Sequence, residues 1–479
     1  MEPKSHTPKP GEKDSFIISR NSQGLELRGS VLRMSRYLVV FEVYNPYSLL
    51  QLSEVLAELQ IFINDRLAYH GRAVVSNLVN TGIMLVCEAA IDEGWIDVDL
   101  FSPRQLQERL AQEFGEFLDE WDRFQRILPA FKLAVADMQL LLLDLRRWLG
   151  QLEFGIRSEP VADRRQLELD VVQRIEPRVV PLVMSWFDRF DRIAESVQTA
   201  ALPAHRAYAR RLLHPLILCA PFVYRTYHKP LGYAGDYEMV NMILRPPYEG
   251  GSLFAQLVNV CFLKNPPAEA HRNRIAWLQV LLREETSKRA RAGRRTRILN
   301  LGCGPAWELQ RFLQECPECR HADIVLLDFN EETLRHAGSV LSGIADEAGL
   351  PLSLKLELRS VHQILKDSVH RKPFDPRGGF DVIYCAGLCD YISDRVCKRL
   401  MNQFYEWLAP EGVLVATNVD ACKPFRRSME ILLEWHLNYR TPDELAALAP
   451  DASPHACRRL QAEETGVNLL LEVRRAADE

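Results

Sequence analysis

"RILNLGCGPAWELQRFL", Arg297 to Leu313, decides the fold. Ile298 to Leu301 is a short apolar run with the character of a buried strand, and it enters Gly302-Cys303-Gly304 before a helix opens near Pro305. Glycines at a strand-to-helix turn let backbone approach a ligand and let the helix pack back onto its strand. The dinucleotide pattern with a third glycine is not met, because Trp307 stands where that glycine belongs. The bend therefore predicts a nucleotide-type crevice without predicting a nicotinamide enzyme.

Downstream, strand and helix patterns alternate, as in a parallel α/β sheet. "ADIVLLDFN" (Ala322 to Asn330) reads as the second strand and ends at Asp328, about two dozen residues beyond the glycines. A carboxylate at that tip accepts the ribose hydroxyls of an adenosine. Its other reading is as N-cap of the next helix, a duty that Asn330 can take instead. "FDVIYCAGLCDYI" (Phe380 to Ile392) reads as the fourth strand with its exit loop, and "LAPEGVLVATNV" (Leu408 to Val419) as a turn and the fifth. The final "ACRRLQAEETGVNLLLEVRR" reads as a β-hairpin turning at Glu464-Thr465-Gly466.

Toward the N-terminus, "SKRARAGRRTR" (Ser287 to Arg297) reads as a solvated basic linker. From Ser102 to about Leu282 apolar residues recur at helical spacing: Leu106, Leu110, Phe114, Phe117, Trp121 and Phe124, then Phe131, Val135, Met138, Leu142, Leu145 and Leu149. Prolines at 160, 177, 181, 203, 215 and 221 are expected to interrupt these helices. The segments from Ser102 to Leu149 can pair within one subunit or across a homodimer. Before them, "YLVVFEVY" (Tyr37 to Tyr44), "LQIFIND" (Leu59 to Asp65), "GRAVVSNL" (Gly71 to Leu78) and "GIMLVCEA" (Gly82 to Ala89) are short strands of a small barrel or sandwich. The expected organisation is a disordered tail at 1–15, a small β-barrel at 16–100, a helical linker or bundle at 101–200, a helical substrate-lid region at 201–290, and an α/β domain at 291–479.

The chain is 47% hydrophobic and 26% charged, with a net charge of -5, so nothing draws it generally to nucleic acid or anionic lipid. No apolar run approaches the ~20 residues of a spanning helix. The polar opening "MEPKSHTPKPGEKDS" carries no secretory signal, which predicts a cytoplasmic location. The 11 cysteines are scattered, and Cys316 and Cys319 form one CxxC without a second pair. That pattern predicts no metal site and a loop on the solvent side.

A Rossmann-like α/β domain with a glycine bend, an acidic second strand and a terminal hairpin resembles the class I S-adenosylmethionine-dependent methyltransferases. "RTYHKPLGYAGDYEMVN", "LGCGPAWEL", "LLDFNEETL", "AGLCDYISD" and "LEWHLNYRTPDEL" together resemble the bacterial family associated with biosynthesis of the extracellular factor 3-hydroxypalmitic acid methyl ester. That resemblance spans roughly residues 205 to 479. It implies S-adenosyl-L-methionine as cofactor, a small fatty-acid-like carboxylate as acceptor, and a diffusible quorum-sensing signal as product. It implies cofactor contacts from Gly302, Cys303, Gly304, Asp328 and Phe329. The 227–237 segment would act as a lid, with Tyr233 and Asp236 toward the cofactor. Tyr227, Lys229 and Tyr237, with His436 and Tyr439, would face the substrate, Lys229 or Arg225 meeting its carboxylate. Asp390 and Tyr391, at the exit of the fourth strand, and His228 are the candidate catalytic residues. His436 reads equally as a core histidine of an apolar helix.

Base-directed amino methyltransferases carry Asp/Asn-Pro-Pro-Tyr/Phe after the fourth strand, and this chain does not. Its Arg245-Pro246-Pro247-Tyr248 precedes the glycine loop and lacks the acidic or amide residue, so nucleic acid is not expected as a substrate. Arg28, Arg33 and Arg36, followed by "NLVNTGIML" (Asn77 to Leu85), resemble the PilZ domain, a β-barrel that binds cyclic di-GMP. The arginine spacing departs from that signature, and Val79 stands where its serine belongs. This implies a degenerate nucleotide site on a docking or dimerisation module. A cyclic-di-GMP-responsive regulator with a methyltransferase-like domain, or an enzyme acting on a small amine or peptide, stands as the alternative.

Overall fold

The computed structural model describes residues 15–22, 24, 26–35, 37–43, 50–63, 66–80, 85–91, 127–158, 163–369 and 379–477. The chain divides into two compact units: residues 1–132, 197–210 and 230–233 form one, and residues 133–196, 211–229 and 234–479 form the other. Arg36, Gly82 and the helical stretch from Leu106 to Phe124 lie outside the described residues.

The first unit is built on six antiparallel strands: β1 (Phe16–Arg20), β2 (Glu26–Ser35), β3 (Leu38–Val43), β4 (Val55–Ile63), β5 (Arg66–Asn80) and β6 (Leu85–Ile91). They close into a barrel in the order β1-β2-β3-β6-β5-β4, so the sheet has no free edge. Alternation sets the faces: Val39, Phe41 and Val43 point inward, where they meet Ile17, Leu56, Leu59, Ile61, Val75 and Cys87. β1 and β2 carry a weaker sequence signal than the other four. β2 exposes Glu26, Arg28, Ser30, Leu32 and Arg33, and its buried residues are few. The buried Glu54 carboxylate accepts hydrogen bonds from the Ser22 amide at 2.8 Å and hydroxyl at 2.6 Å, and from the Gln51 amide at 2.7 Å. In the same unit the Val55 amide donates to the Gly232 carbonyl at 2.7 Å.

In the second unit, helices precede a seven-stranded sheet. They are α1 (Pro129–Ser158), α2 (Arg164–Glu195), α3 (Leu202–Ile217), α4 (Pro221–His228), α5 (Tyr237–Leu244), α6 (Leu253–Leu263) and α7 (Pro266–Arg291), with residues 129–132 of α1 and 202–210 of α3 counted in the first unit. The predicted spacing is met in α1, whose Phe131, Val135, Met138, Leu142 and Leu149 are buried. Pro203 and Pro221 fall in the first turns of α3 and α4, where the sequence expects interruptions, while Pro215 lies inside α3. Pro177 and Pro181 lie inside α2, one turn apart on its exposed side, where water can satisfy the carbonyls they leave unpaired.

The sheet comprises β7 (Thr296–Leu301), β8 (Ala322–Asp328), β9 (Ser353–Leu358), β10 (Phe380–Cys385), β11 (Leu408–Val419), β12 (Arg458–Ala462) and β13 (Asn468–Arg474). Its order is β12-β13-β11-β10-β7-β8-β9. β7 to β11 run parallel, β13 pairs antiparallel to β11, and β12 and β13 form the predicted hairpin. Between the strands lie α8 (Trp307–Glu315), α9 (Glu331–Glu347), α10 (Val361–Val369), α11 (Asp394–Trp407), α12 (Arg426–Leu432) and α13 (Pro442–Ala447). The inner strands β7, β8, β10, β11 and β13 are buried on both faces, whereas the edge strands β9 and β12 are partly exposed. Leu299, Leu301, Ile383 and Leu414 join one apolar core, while Ile298, Tyr384, Val413 and Val415 join the other. Because β7 and β10 are neighbours with the chain departing in opposite directions from them, a crevice opens at their carboxyl ends.

Two local expectations are corrected. The basic stretch Ser287 to Arg297 includes the last turn of α7 and the start of β7, and only residues 292–295 form an exposed connector between them. Its Arg289 is buried between Glu285 and Asp381, 2.5 Å from each, so one of its charges ties helix to sheet. Cys316 and Cys319 are also not on the solvent side: they are 3% and 4% exposed and pack into the core that holds Phe312 and Leu326. All eleven cysteines are free thiols, with Cys219 and Cys422 exposed.

Candidate active site

The glycine bend adopts backbone that side chains resist. Gly302 and Gly304 have φ of 66° and 51°, and the Gly302 amide donates to the Leu327 carbonyl at 2.8 Å, locking the bend to β8. A Cβ added to Gly304 would meet no heavy atom within 4 Å, so its backbone borders open space. Ala306, also left-handed at φ 54°, starts α8 without a side-chain cap. Trp307 is anchored by its indole N–H, which donates to Asn241 Oδ1 at 2.7 Å.

At the tip of β8, Asp328 is 5% exposed. Its carboxylate accepts the Asn330 amide at 3.0 Å, and the Gly304 and Phe329 amides turn toward it as well. Cys303 Sγ lies 3.9 Å from its second oxygen. Asn330 caps α9, accepting the Thr333 amide at 2.9 Å, so Asp328 has no capping duty. Loss of solvent outweighs the three amides and pushes the Asp328 pKa up to about 6. An open backbone cradle beside a buried acceptor carboxylate fits the ribose of an adenosine.

A pH dependence follows from this carboxylate. A ribose held here would donate its hydroxyls to the ionised form, so donor affinity should then be level above pH 7 and fall by up to about tenfold per unit below 6. Calorimetric titration with S-adenosylhomocysteine from pH 5 to 8 would measure it, and Asp328→Asn should flatten the profile.

The polar, tyrosine-rich stretch before α5 is largely committed to internal contacts. Arg225 Nε donates to both oxygens of Asp236, at 2.9 and 3.1 Å, and Asp236 also caps α5 by accepting the Met239 amide at 2.8 Å. Lys229, in left-handed backbone at φ 48°, sends its ammonium to the Leu433 carbonyl at 3.0 Å and is 2% exposed. His228 is exposed, its ring 4.1 Å from that of Tyr224, and Tyr227 packs edge-on against His214 at 4.6 Å. Tyr237 points the other way. Its hydroxyl donates to Glu332 in the first turn of α9 at 2.8 Å, and its ring stacks on His336. Tyr233 belongs to the first unit, with Pro230 to Gly232.

Beyond β10 the chain forms a short 3-10 turn, Cys389–Tyr391. Asp390 Oδ1 accepts the Val419 amide at 2.7 Å and its carbonyl accepts the Asn438 amide at 2.6 Å, stitching the ends of β10 and β11 together. Burial raises its pKa to about 7 against the pull of Arg274 and Arg440. Tyr391 Oη accepts the Trp435 indole N–H at 2.9 Å. It also sits where a Cβ on Gly235 would come within 2.8 Å of it, which explains a glycine at that position. Tyr439 carries the Arg426 guanidinium 4.2 Å above its ring, and its buried hydroxyl has no hydrogen-bond partner among the described residues. Lys423 is buried nearby, its pKa lowered to about 8 although Glu430, Asp191 and Asp390 act to raise it. His436 is buried and helps to hold the Glu430 carboxyl below its usual range.

Sequence reading passed over Arg274 and Glu308. Arg274 is 6% exposed on α7, and its guanidinium lies against the glycine turn after β10: a Cβ on Gly387 would be 3.5 Å from Nη1. Asp390, Glu308 and Tyr391 surround it electrostatically. Glu308 accepts hydrogen bonds from Tyr384 Oη at 2.8 Å and Asn300 Nδ2 at 3.1 Å. The available signal was an arginine at helical spacing from Leu278, Leu281 and Leu282, on the buried face of α7.

Residues 293–462 match the family model described as a methyltransferase domain. Among proteins of curated function, none matches the chain. Similar solved structures include a possible exported protein from Bordetella parapertussis, at 20% identity and a TM-score of 0.40, covering 53% of this chain and 86% of that one. Magnesium protoporphyrin IX methyltransferase from Synechocystis PCC 6803 gives 10% identity and 0.36, over 53% and 98%. An N-methyltransferase from Bradyrhizobium japonicum WM9 gives 16% and 0.31, over 50% and 97%. The family match falls on the sheet whose order and glycine bend are described above. A methyltransferase domain therefore spans residues 293–462 of this chain, on the sheet that carries the glycine bend.

Proposed function

We propose that the protein methylates the carboxyl group of a small amphiphilic acid, a 3-hydroxy fatty acid being the class that its sequence motifs favour. The observation that carries this reading is the sign of the charge beyond β10. Arg274, buried beside the glycine turn after β10, has an Nε without a hydrogen-bond partner among the described residues, and the carboxyl of Asp390 that faces it retains a proton up to about pH 7. Such a setting favours an acceptor that arrives with negative charge and disfavours an ammonium.

S-adenosylmethionine, when bound, supplies a methyl group on positive sulfur. Gly302 and Gly304 would border it and Asp328 would hold its ribose. An acceptor carboxylate is already ionised at neutral pH, its ordinary pKa being about 4, so no side chain has to remove a proton. Transfer forms a carbon–oxygen bond as the carbon–sulfur bond breaks, and no proton moves. The protein's part is then alignment and exclusion of water. Asp390 would fix the end of β10, while Tyr391, Trp435 and Tyr439 would supply aromatic walls with polar tips.

Incubation with methyl-labelled donor and 3-hydroxy fatty acids of several lengths tests the proposal. The expected product is an ester that releases label as methanol in alkali. Label that survives alkali would place the methyl on nitrogen or carbon and overturn the carboxyl assignment.

A further inference from the structure

The geometry points to Arg274 as the residue that binds a ligand carboxylate in this site, either the acceptor's or the α-carboxylate of the methyl donor. Three observations converge on it. First, Arg274 is among the most buried arginines of the unit, yet its Nε has no hydrogen-bond partner among the described residues. Buried guanidinium groups are ordinarily satisfied. Arg289 has two carboxylates, and Arg440 donates to Asp394 and to the carbonyls of Cys389 and Ile392. A desolvated donor left unpaired costs free energy unless a ligand completes it.

Second, the guanidinium lies beside Gly387, where the absence of a side chain leaves its two terminal nitrogens uncovered by Cβ. Gly387 follows β10, and Leu388 packs 3.5 Å from where a Cβ on Gly302 would be, so the arginine stands at the same sheet end as the glycine bend. Third, the Tyr439 hydroxyl is likewise buried and has no hydrogen-bond partner among the described residues, and it shares Asp390 and Tyr391 as electrostatic neighbours with Arg274. Two orphaned donors near one carboxyl are what a second carboxylate would satisfy, the planar fork of arginine taking both of its oxygens.

This inference rests on the methyltransferase reading of the site, and its test separates the two. Arg274→Gln and Arg274→Lys are titrated calorimetrically with S-adenosylhomocysteine, with 5′-methylthioadenosine, which lacks the carboxylate, and, in the S-adenosylhomocysteine-loaded state, with 3-hydroxydecanoate. If Arg274 holds the donor's carboxylate, Arg274→Gln should bind S-adenosylhomocysteine at least tenfold more weakly and methylthioadenosine as wild type does. If it holds the acceptor's, S-adenosylhomocysteine affinity stays level and 3-hydroxydecanoate affinity falls at least tenfold. In either case Arg274→Lys should recover part of the loss. Wild-type affinity for every probe in a folded Arg274→Gln would overturn the inference. Should wild type itself bind no 3-hydroxydecanoate, the fatty-acid reading falls, and the S-adenosylhomocysteine arm alone decides about Arg274. Failure of both variants to fold would make Arg274 structural and equally overturn it.

Discussion

Replacing Asp328 by alanine is expected to weaken binding of S-adenosylmethionine by on the order of 1–3 kcal/mol, roughly five- to 150-fold. The carboxylate is desolvated at the tip of β8 and already gathers the amides of Gly304, Phe329 and Asn330. Ribose hydroxyls would complete its acceptor capacity, so truncation loses those bonds and leaves the amides of the bend without their partner. Asp328→Asn should be little better. An amide offers one acceptor oxygen, and its NH2 would face N–H groups that also donate. Calorimetry on the folded variants decides the matter, and unchanged donor affinity in Asp328→Ala would remove the ribose from this strand tip.

The largest effect on stability should come from Arg289→Met, about 3–5 kcal/mol, which is the range for stripping one partner from a buried ion pair. Arg289 is 5% exposed and bridges Glu285 on its own helix to Asp381 at the start of β10. Asp381 also accepts the Arg297 amide of β7 at 2.8 Å, and Glu285 reaches Arg474 of β13 at 2.8 Å. The cation therefore joins α7 to three strands. Its removal takes from Glu285 and Asp381 the buried cation they share, leaving Arg474 on the one and the Arg297 amide on the other. Urea titration of the variant would measure the cost. Arg289→Met combined with Asp381→Leu should recover much of the loss, since the stranded charge is then gone too.

What the sequence made legible was whatever repeats with a period. The α/β sheet follows from apolar runs ending in Gly302-Cys303-Gly304, Asp328 and Cys389-Asp390-Tyr391, and the hairpin from Gly466 between two such runs. Strands β1 and β2 were missed because barrel closure, not local apolar content, holds them. Pro177 and Pro181 misled because proline is costly only where its freed carbonyl lacks water. Asp328 and Asp390 were legible as buried carboxyls because strand ends mark them. Arg274 was not, since an arginine in a helix is ordinarily solvated and only tertiary packing reveals one sealed inside. Arg225 and Lys229 show the reverse. Their charges suggested a substrate, while the structure commits them to Asp236 and to the Leu433 carbonyl.

The distribution of thiols has a practical corollary. Eight of the cysteines are enclosed, Cys457 is half-covered, and Cys219 and Cys422 are open to reagents. Maleimide dyes should therefore modify the native enzyme chiefly at those two places, giving fluorescent reporters without engineered mutations. Cys422 lies one residue from Lys423, so a probe there would sense whatever enters beside that ammonium.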